Sequence, residues 1–182
     1  VYGSNNSDYL STVYKAGDID GDGYDELALA APQAQSGRGE VYLFYGNSTA
    51  WSGEFDINDA DAEFRGDELS DYLGWSFTGA DLDDDGANEL IVGALYNDEG
   101  SSDSGAVYVV PGGSYTGTDK VGNVASAAMY GSDPNQYLGS SVTVGDIDGD
   151  GYLDLAAGGY YAQNDNGEWG SGGVWLWLGT GM

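Results

Sequence analysis

The side chains here that could do chemistry are carboxylates, and they recur in one spacing: DIDGDGYDE at 18–26, DLDDDGANE at 81–89 and DIDGDGYLD at 146–154. In the first loop Asp18, Asp20 and Asp22 hold positions 1, 3 and 5, Gly23 holds position 6 and Glu26 position 9. The second supplies Asp81, Asp83, Asp85, Gly86 and Glu89, and the third Asp146, Asp148, Asp150, Gly151 and Asp154. Hard oxygen donors at alternate positions, with a glycine where the backbone must wrap, describe a Ca²⁺ cage, and a main-chain carbonyl from residue 7 would complete it. That carbonyl belongs to Tyr24, Ala87 or Tyr152. Mg²⁺ suits such a cage less, because it keeps several of its waters. Transition metals favour nitrogen or sulfur donors, and the chain has no histidine and no cysteine. Three Ca²⁺ sites are therefore expected. The competing reading is a solvated acidic turn, since Asp and Gly are common turn residues; three matched copies favour the cage.

An EF-hand starts the same way but closes with an acid at position 12 between two helices. Here position 12 is Leu29, Val92 or Ala157. The closing acid at position 9 runs straight into an apolar stretch, so each loop must join strand to strand. A bound cation would neutralise carboxylates that otherwise repel, and its binding energy would stabilise the hairpin.

Other landmarks keep step with the loops. Upstream lie Tyr9-Leu10-Ser11, Tyr72-Leu73-Gly74 and Tyr137-Leu138-Gly139; downstream lie GEVYLFYG at 39–46, GAVYVVPG at 105–112 and GGVWLWLG at 172–179. Such a period marks stacked structural units. Leu10, Thr12, Tyr14 and Ala16 alternate with Ser11, Val13 and Lys15, and Leu73, Trp75 and Phe77 with Gly74, Ser76 and Thr78, which predicts half-buried strands. VYLFY and VWLWL are unbroken β-branched and aromatic runs, as expected of strands covered on both faces. The fold class expected is all-β, with four short strands per unit of about 65 residues stacked as propeller blades rather than as a sandwich. The unit limits expected are 1–63, 64–128 and 129–182, the third lacking its fourth strand and 1–3 supplying only a strand tail.

The acidic loops, the Tyr-Leu-Gly or Tyr-Leu-Ser before them, and the small-residue stretches Ala30-Ala31-Pro32, Gly93-Ala94-Leu95 and Gly158-Gly159-Tyr160 resemble FG-GAP repeats, the calcium-binding blades of integrin α-subunit propellers and related bacterial proteins. The resemblance covers essentially the whole chain. It implies that the loop residues named above are the metal ligands, with position 8 (Asp25, Asn88, Leu153) given no role. It also implies that the loops on the opposite end, at 33–38, 97–104 and 163–171 with 4–8, 67–71 and 132–136, form the ligand face. Propellers close with about four to eight blades, so three units imply part of a larger propeller or one completed by other copies.

Thirty-one acidic residues face only Lys15, Arg38, Arg65 and Lys120, a formal charge of −27. That argues against binding to a nucleic-acid phosphate backbone or an anionic membrane, and no nucleic-acid partner is expected. No apolar run is long enough to span a bilayer. The functional expectation is an extracellular or cell-surface, secreted, calcium-stabilised binding or adhesion module for a protein or glycan ligand, since millimolar calcium outside cells fills weak sites. Two alternatives stand beside it: a self-assembling structural protein, and a non-catalytic accessory segment of a secreted polysaccharide- or phosphodiester-cleaving enzyme. No catalysis by this chain is expected, because calcium already accounts for the clustered acids and no nucleophile motif recurs. Asn5-Asn6-Ser7 and Asn47-Ser48-Thr49 match glycosylation acceptors.

Overall fold

Each acidic loop is the bend of an antiparallel hairpin, and each hairpin extends into its own sheet. The computed structural model describes residues 8–10, 12–49, 54 and 56–179. The expected strand tail at 1–3, the segment 4–7 with its glycosylation triplet, Ser11 and residues 180–182 lie outside the described residues.

Strand β1 (Thr12–Gly17) pairs antiparallel with β2 (Glu26–Ala31), β2 with β3 (Glu40–Phe44), and β3 with β4 (Ala62–Arg65). The second hairpin is β5 (Leu73–Ala80) with β6 (Glu89–Ala94), continued by β7 (Ala106–Val110). Between β7 and the last strand of this sheet the chain makes a detour. Residues Gly117–Lys120 form β8, which runs parallel to β4 at the edge of the first sheet. The chain then returns as β9 (Ala127–Tyr130), antiparallel to β7. The third sheet is β10 (Leu138–Gly145), β11 (Asp154–Gly159) and β12 (Gly173–Trp177). Among the described residues, three sheets of five, four and three strands therefore stand in sequence, an open stack of propeller-type blades. Four strands per unit holds for the second sheet; in the first, the detour adds a fifth. The expected unit limits, 63/64 and 128/129, fall inside β4 and β9, which bond to the preceding sheets.

The helical content is short turns, at Ala34–Gly37, Ile57–Asp59 and Val121–Val124.

Alternation along β3, β7 and β12 decides how the sheets pack. Val41 and Leu43 of the first sheet share a core with Ala106, Tyr108 and Val110 of the second. Val107 and Val109, on the opposite face of β7, meet Leu155, Ala157, Trp175 and Trp177 of the third. β3 and β7 thus each serve two interfaces, which explains their unbroken apolar runs. β12, expected to be covered on both faces, is covered on one only, because no sheet packs on its far side among the described residues and Val174 and Leu176 stand exposed. The outer face of the first sheet buries Leu29, Tyr42 and Phe44 beneath Ile57.

The first strands depart from simple alternation. Trp75 is exposed although Leu73 and Phe77 are buried, because the β5–β6 register slips between Leu73 and Ser76. The β10–β11 register slips likewise between Leu138 and Ser141. Gly74 and Gly139 sit at the slips with φ near +85°, a conformation that costs a residue with a Cβ. The first unit has Ser11 at that position, outside the described residues, and its β1–β2 register slips between Lys15 and Gly17, where Gly17 has φ +83°. Tyr14 and Val13 are both exposed, although the Tyr14 ring meets Phe77 of the second sheet edge-on and its hydroxyl accepts from that of Thr78.

Candidate metal centres

The loops are shaped by their own carboxylates. Asp18 accepts backbone N–H bonds from Gly21 (2.8 Å), Asp22 (3.1 Å) and Gly23 (2.9 Å), while Asp22 accepts from Tyr24 at 2.9 Å. The second loop repeats this: Asp81 accepts from Asp85 and Gly86, and Asp85 from Ala87. In the third, Asp146 accepts from Gly149 and Gly151, and Asp150 from Tyr152. Gly23, Gly86 and Gly151 at position 6 all have φ between +92° and +96°. The turn that brings positions 1, 3 and 5 to one side of the loop uses the region glycine enters without cost.

Three groups of carboxylates result, each with one oxygen per residue within 4.8 Å of the others: Asp18, Asp20 and Asp22; Asp81, Asp83 and Asp85; Asp146, Asp148 and Asp154. Charges held so close call for a counter-cation, and oxygen-only donors suit a hard divalent ion. Glu26 and Glu89 stand outside the first two groups, and Asp150 outside the third. Tyr24, Ala87 and Tyr152 follow the position-6 glycine and donate their N–H to the position-5 carboxylate.

The position-9 acids do something the spacing did not announce. Glu26, Glu89 and Asp154 are buried. Glu26 accepts N–H bonds from Ile19 and, at 3.2 Å, from Gly46. Glu89 accepts from Leu82 (2.7 Å) and Gly112 (3.1 Å); Asp154 accepts from Ile147 (2.7 Å), Asp148 (3.4 Å) and Gly179 (2.9 Å). Each thus ties the second residue of its loop to the glycine that ends the third strand of its sheet. Burial pushes the Glu26 and Glu89 carboxyls up, against these amides, and neighbouring loop aspartates push the same way. At Asp154 burial also pushes up, but the amides of Gly179, Ile147 and Asp148 prevail and hold the carboxyl below its usual range.

At the opposite end the chain presents features that residue spacing did not single out. Tyr72, Tyr96, Tyr137 and Tyr160 form a ladder with neighbouring ring centroids about 5 Å apart, and Tyr161 stacks on Trp169. On the outer face of the first sheet, Glu40 receives the Tyr42 hydroxyl and pairs with Arg65, which also meets Glu63. The signal for this group was three charges in otherwise apolar strands, at 40, 63 and 65.

Comparison with known proteins gives the same periodicity. The model of the FG-GAP repeat matches residues 16–44, 73–110 and 138–177. Integrin alpha-PS2 of Drosophila melanogaster is 30% identical over 98% of this chain, which covers 12% of that protein. Integrin alpha-V of Gallus gallus is 27% identical over 86% of this chain and 14% of its own length. A phosphatidylinositol-glycan-specific phospholipase D of Dictyostelium discoideum is 25% identical over 87% of this chain and 18% of its own. The chain thus spans less than a fifth of each of these relatives.

Proposed function

Because the chain belongs to the FG-GAP repeat family, we propose that it is an extracellular or cell-surface binding or adhesion module whose three hairpins are each braced by one Ca²⁺. The observation that carries this reading is the triple convergence of carboxylate oxygens on position-equivalent residues. The ligand sets proposed are Asp18, Asp20, Asp22 and Glu26 with the Tyr24 carbonyl; Asp81, Asp83, Asp85 and Glu89 with that of Ala87; and Asp146, Asp148, Asp150 and Asp154 with that of Tyr152. One ion falls to each unit, with unit limits near 63/64 and 128/129.

In these sets the aspartates supply most of the charge, and the position-9 acid couples the ion to the rest of the blade through its amide bonds. The integrin relatives support a protein ligand or further blades as partners. The phospholipase D relative supports a second setting, as a non-catalytic segment of a larger secreted enzyme. Calcium titration of the chelated protein, followed by calorimetry, tests the proposal: saturable uptake supports it and absence of uptake removes it.

A further inference from the structure

Three of the chain's four cationic side chains lie on one groove. Arg38, Arg65 and Lys120 line a cavity of about 360 Å³ together with Gln35, Thr118 and Asp119. A scattered placement in a molecule of charge −27 would not gather them. The Arg38 guanidinium donates to the carbonyls of Gly66 (3.0 Å) and Asp67 (2.7 Å), and the Lys120 ammonium donates to the same Asp67 carbonyl at 2.6 Å. Two positive charges thus converge on one neutral oxygen. The carboxylate nearest Lys120, that of Glu68, is 3.6 Å away on a largely exposed side chain, a pairing that contributes little. The parallel register also sets Arg65 directly opposite Lys120, and like charges opposite one another on neighbouring strands repel. Arg65 is held through its Nε to Glu40 and Glu63.

Arg65 is thereby neutralised and Asp119 also lines the groove, so the cations free for an oxyanion are Arg38 and Lys120, whose short bonds go to neutral carbonyls. We propose that this groove binds a sulfate or carboxylate group of an acidic glycan. Arg38 and Lys120 clamp the oxyanion, the Gln35 amide meets a neighbouring sugar hydroxyl, and the Thr118 hydroxyl, which donates to Glu63 at 3.0 Å, is left to accept from another. A planar guanidinium beside a compact ammonium suits an oxyanion, since charge-assisted bonds are roughly twice as strong as neutral ones. Gln35 and Arg38 belong to the β2–β3 connection, so the groove lies at the end of the first sheet away from the β1–β2 acidic loop. The proposal names a ligand class for the binding module described above and rests on that reading.

The test is titration of the calcium-saturated protein with a heparin-derived sulfated tetrasaccharide, read by amide chemical shifts and calorimetry. Expected are saturable shifts confined to residues 35–38, 65–68 and 117–120, and at least a tenfold loss of affinity in Lys120→Gln and in Arg38→Gln. Lys15→Gln, which removes the fourth cation, leaves affinity unchanged. Raising NaCl from 100 to 500 mM weakens binding, and the desulfated tetrasaccharide binds at least tenfold more weakly. If Arg38→Gln does not fold, Lys120→Gln carries the test alone, because its side chain is half-exposed. The proposal is overturned by the absence of saturable shifts, by shifts centred on the acidic loops, by equal loss in Lys15→Gln, or by tighter binding of a polyglutamate peptide. Calcium-dependent melting measured on the same samples keeps the two readings apart. Glycan binding without calcium stabilisation would sink the function proposed above, and the reverse would sink only this groove.

Discussion

Glu89 and Asp83 sit six residues apart in one loop and answer to different forces. Glu89 is buried and accepts two backbone N–H bonds, whereas Asp83 is exposed at the loop tip. Replacing Glu89 by Ala strands two amides at about 1–3 kcal/mol each. Glu89→Ala should therefore lower the melting midpoint even in EDTA. Asp83→Ala should leave the chelated protein nearly unchanged and remove only the increment that calcium adds; melting curves with and without chelator separate the two. Asp71 offers a pH test far from the loops. Burial raises its carboxyl from 3.8 to about 6, so the folded state holds a proton that the unfolded chain releases first. Its stabilising contribution is complete below about pH 4 and is lost as pH rises towards 6. Gln136, the equivalent residue of the next unit, is a neutral amide accepting N–H bonds from Ser132 and Asp133. Asp71→Asn is thus expected to stabilise by about 1–3 kcal/mol at pH 7, with the gain vanishing near pH 4, as denaturant melts at the two pH values will show. Spacing made the acidic triads legible in the sequence. It could not separate position 9 from positions 1, 3 and 5, because the amides that Glu26 and Glu89 satisfy come partly from Gly46 and Gly112, twenty or more residues away.

At the scale of elements, the hairpins were legible because an acidic loop, a strand and a glycine recur in phase. The register slip was not, since it depends on which glycine turns to positive φ. A Cβ on Gly139 would lie 2.3 Å from the Ala106 carbonyl oxygen, with φ already at +84°. Gly145, in the same strand, has open space and an ordinary φ. Gly139→Ala should cost about 2 kcal/mol or more, and Gly145→Ala should be neutral or slightly stabilising, as measured by denaturant unfolding. Strand β8 leaves no mark in the sequence for a different reason. GTDK is exposed at all four positions, so no apolar alternation marks it; its place comes from the unpaired edge of β4 in another unit, which it covers.

For the whole molecule, the stacking order of the sheets explains one pair of exposures. Val107 of β7 is fully buried between the second and third sheets, while Val174, at the same place in β12, is 76% exposed. Val107→Lys should prevent folding, because it buries an unpaired ammonium; Val174→Lys should change stability by less than about 0.5 kcal/mol. Circular dichroism of the two variants decides whether the sheets pack in this order. The −27 charge acts at this scale too, since self-repulsion favours the unfolded chain and bound cations would offset it. Ions filling a site to a hundred times its Kd add about 2.7 kcal/mol. Calorimetric titration of the EDTA-stripped protein with CaCl₂, paired with melting of the same samples, tests the central claim most directly. The account predicts three equivalents of Ca²⁺ taken up and a melting midpoint that climbs with occupancy. No heat of binding, with a midpoint indifferent to EDTA, would contradict it.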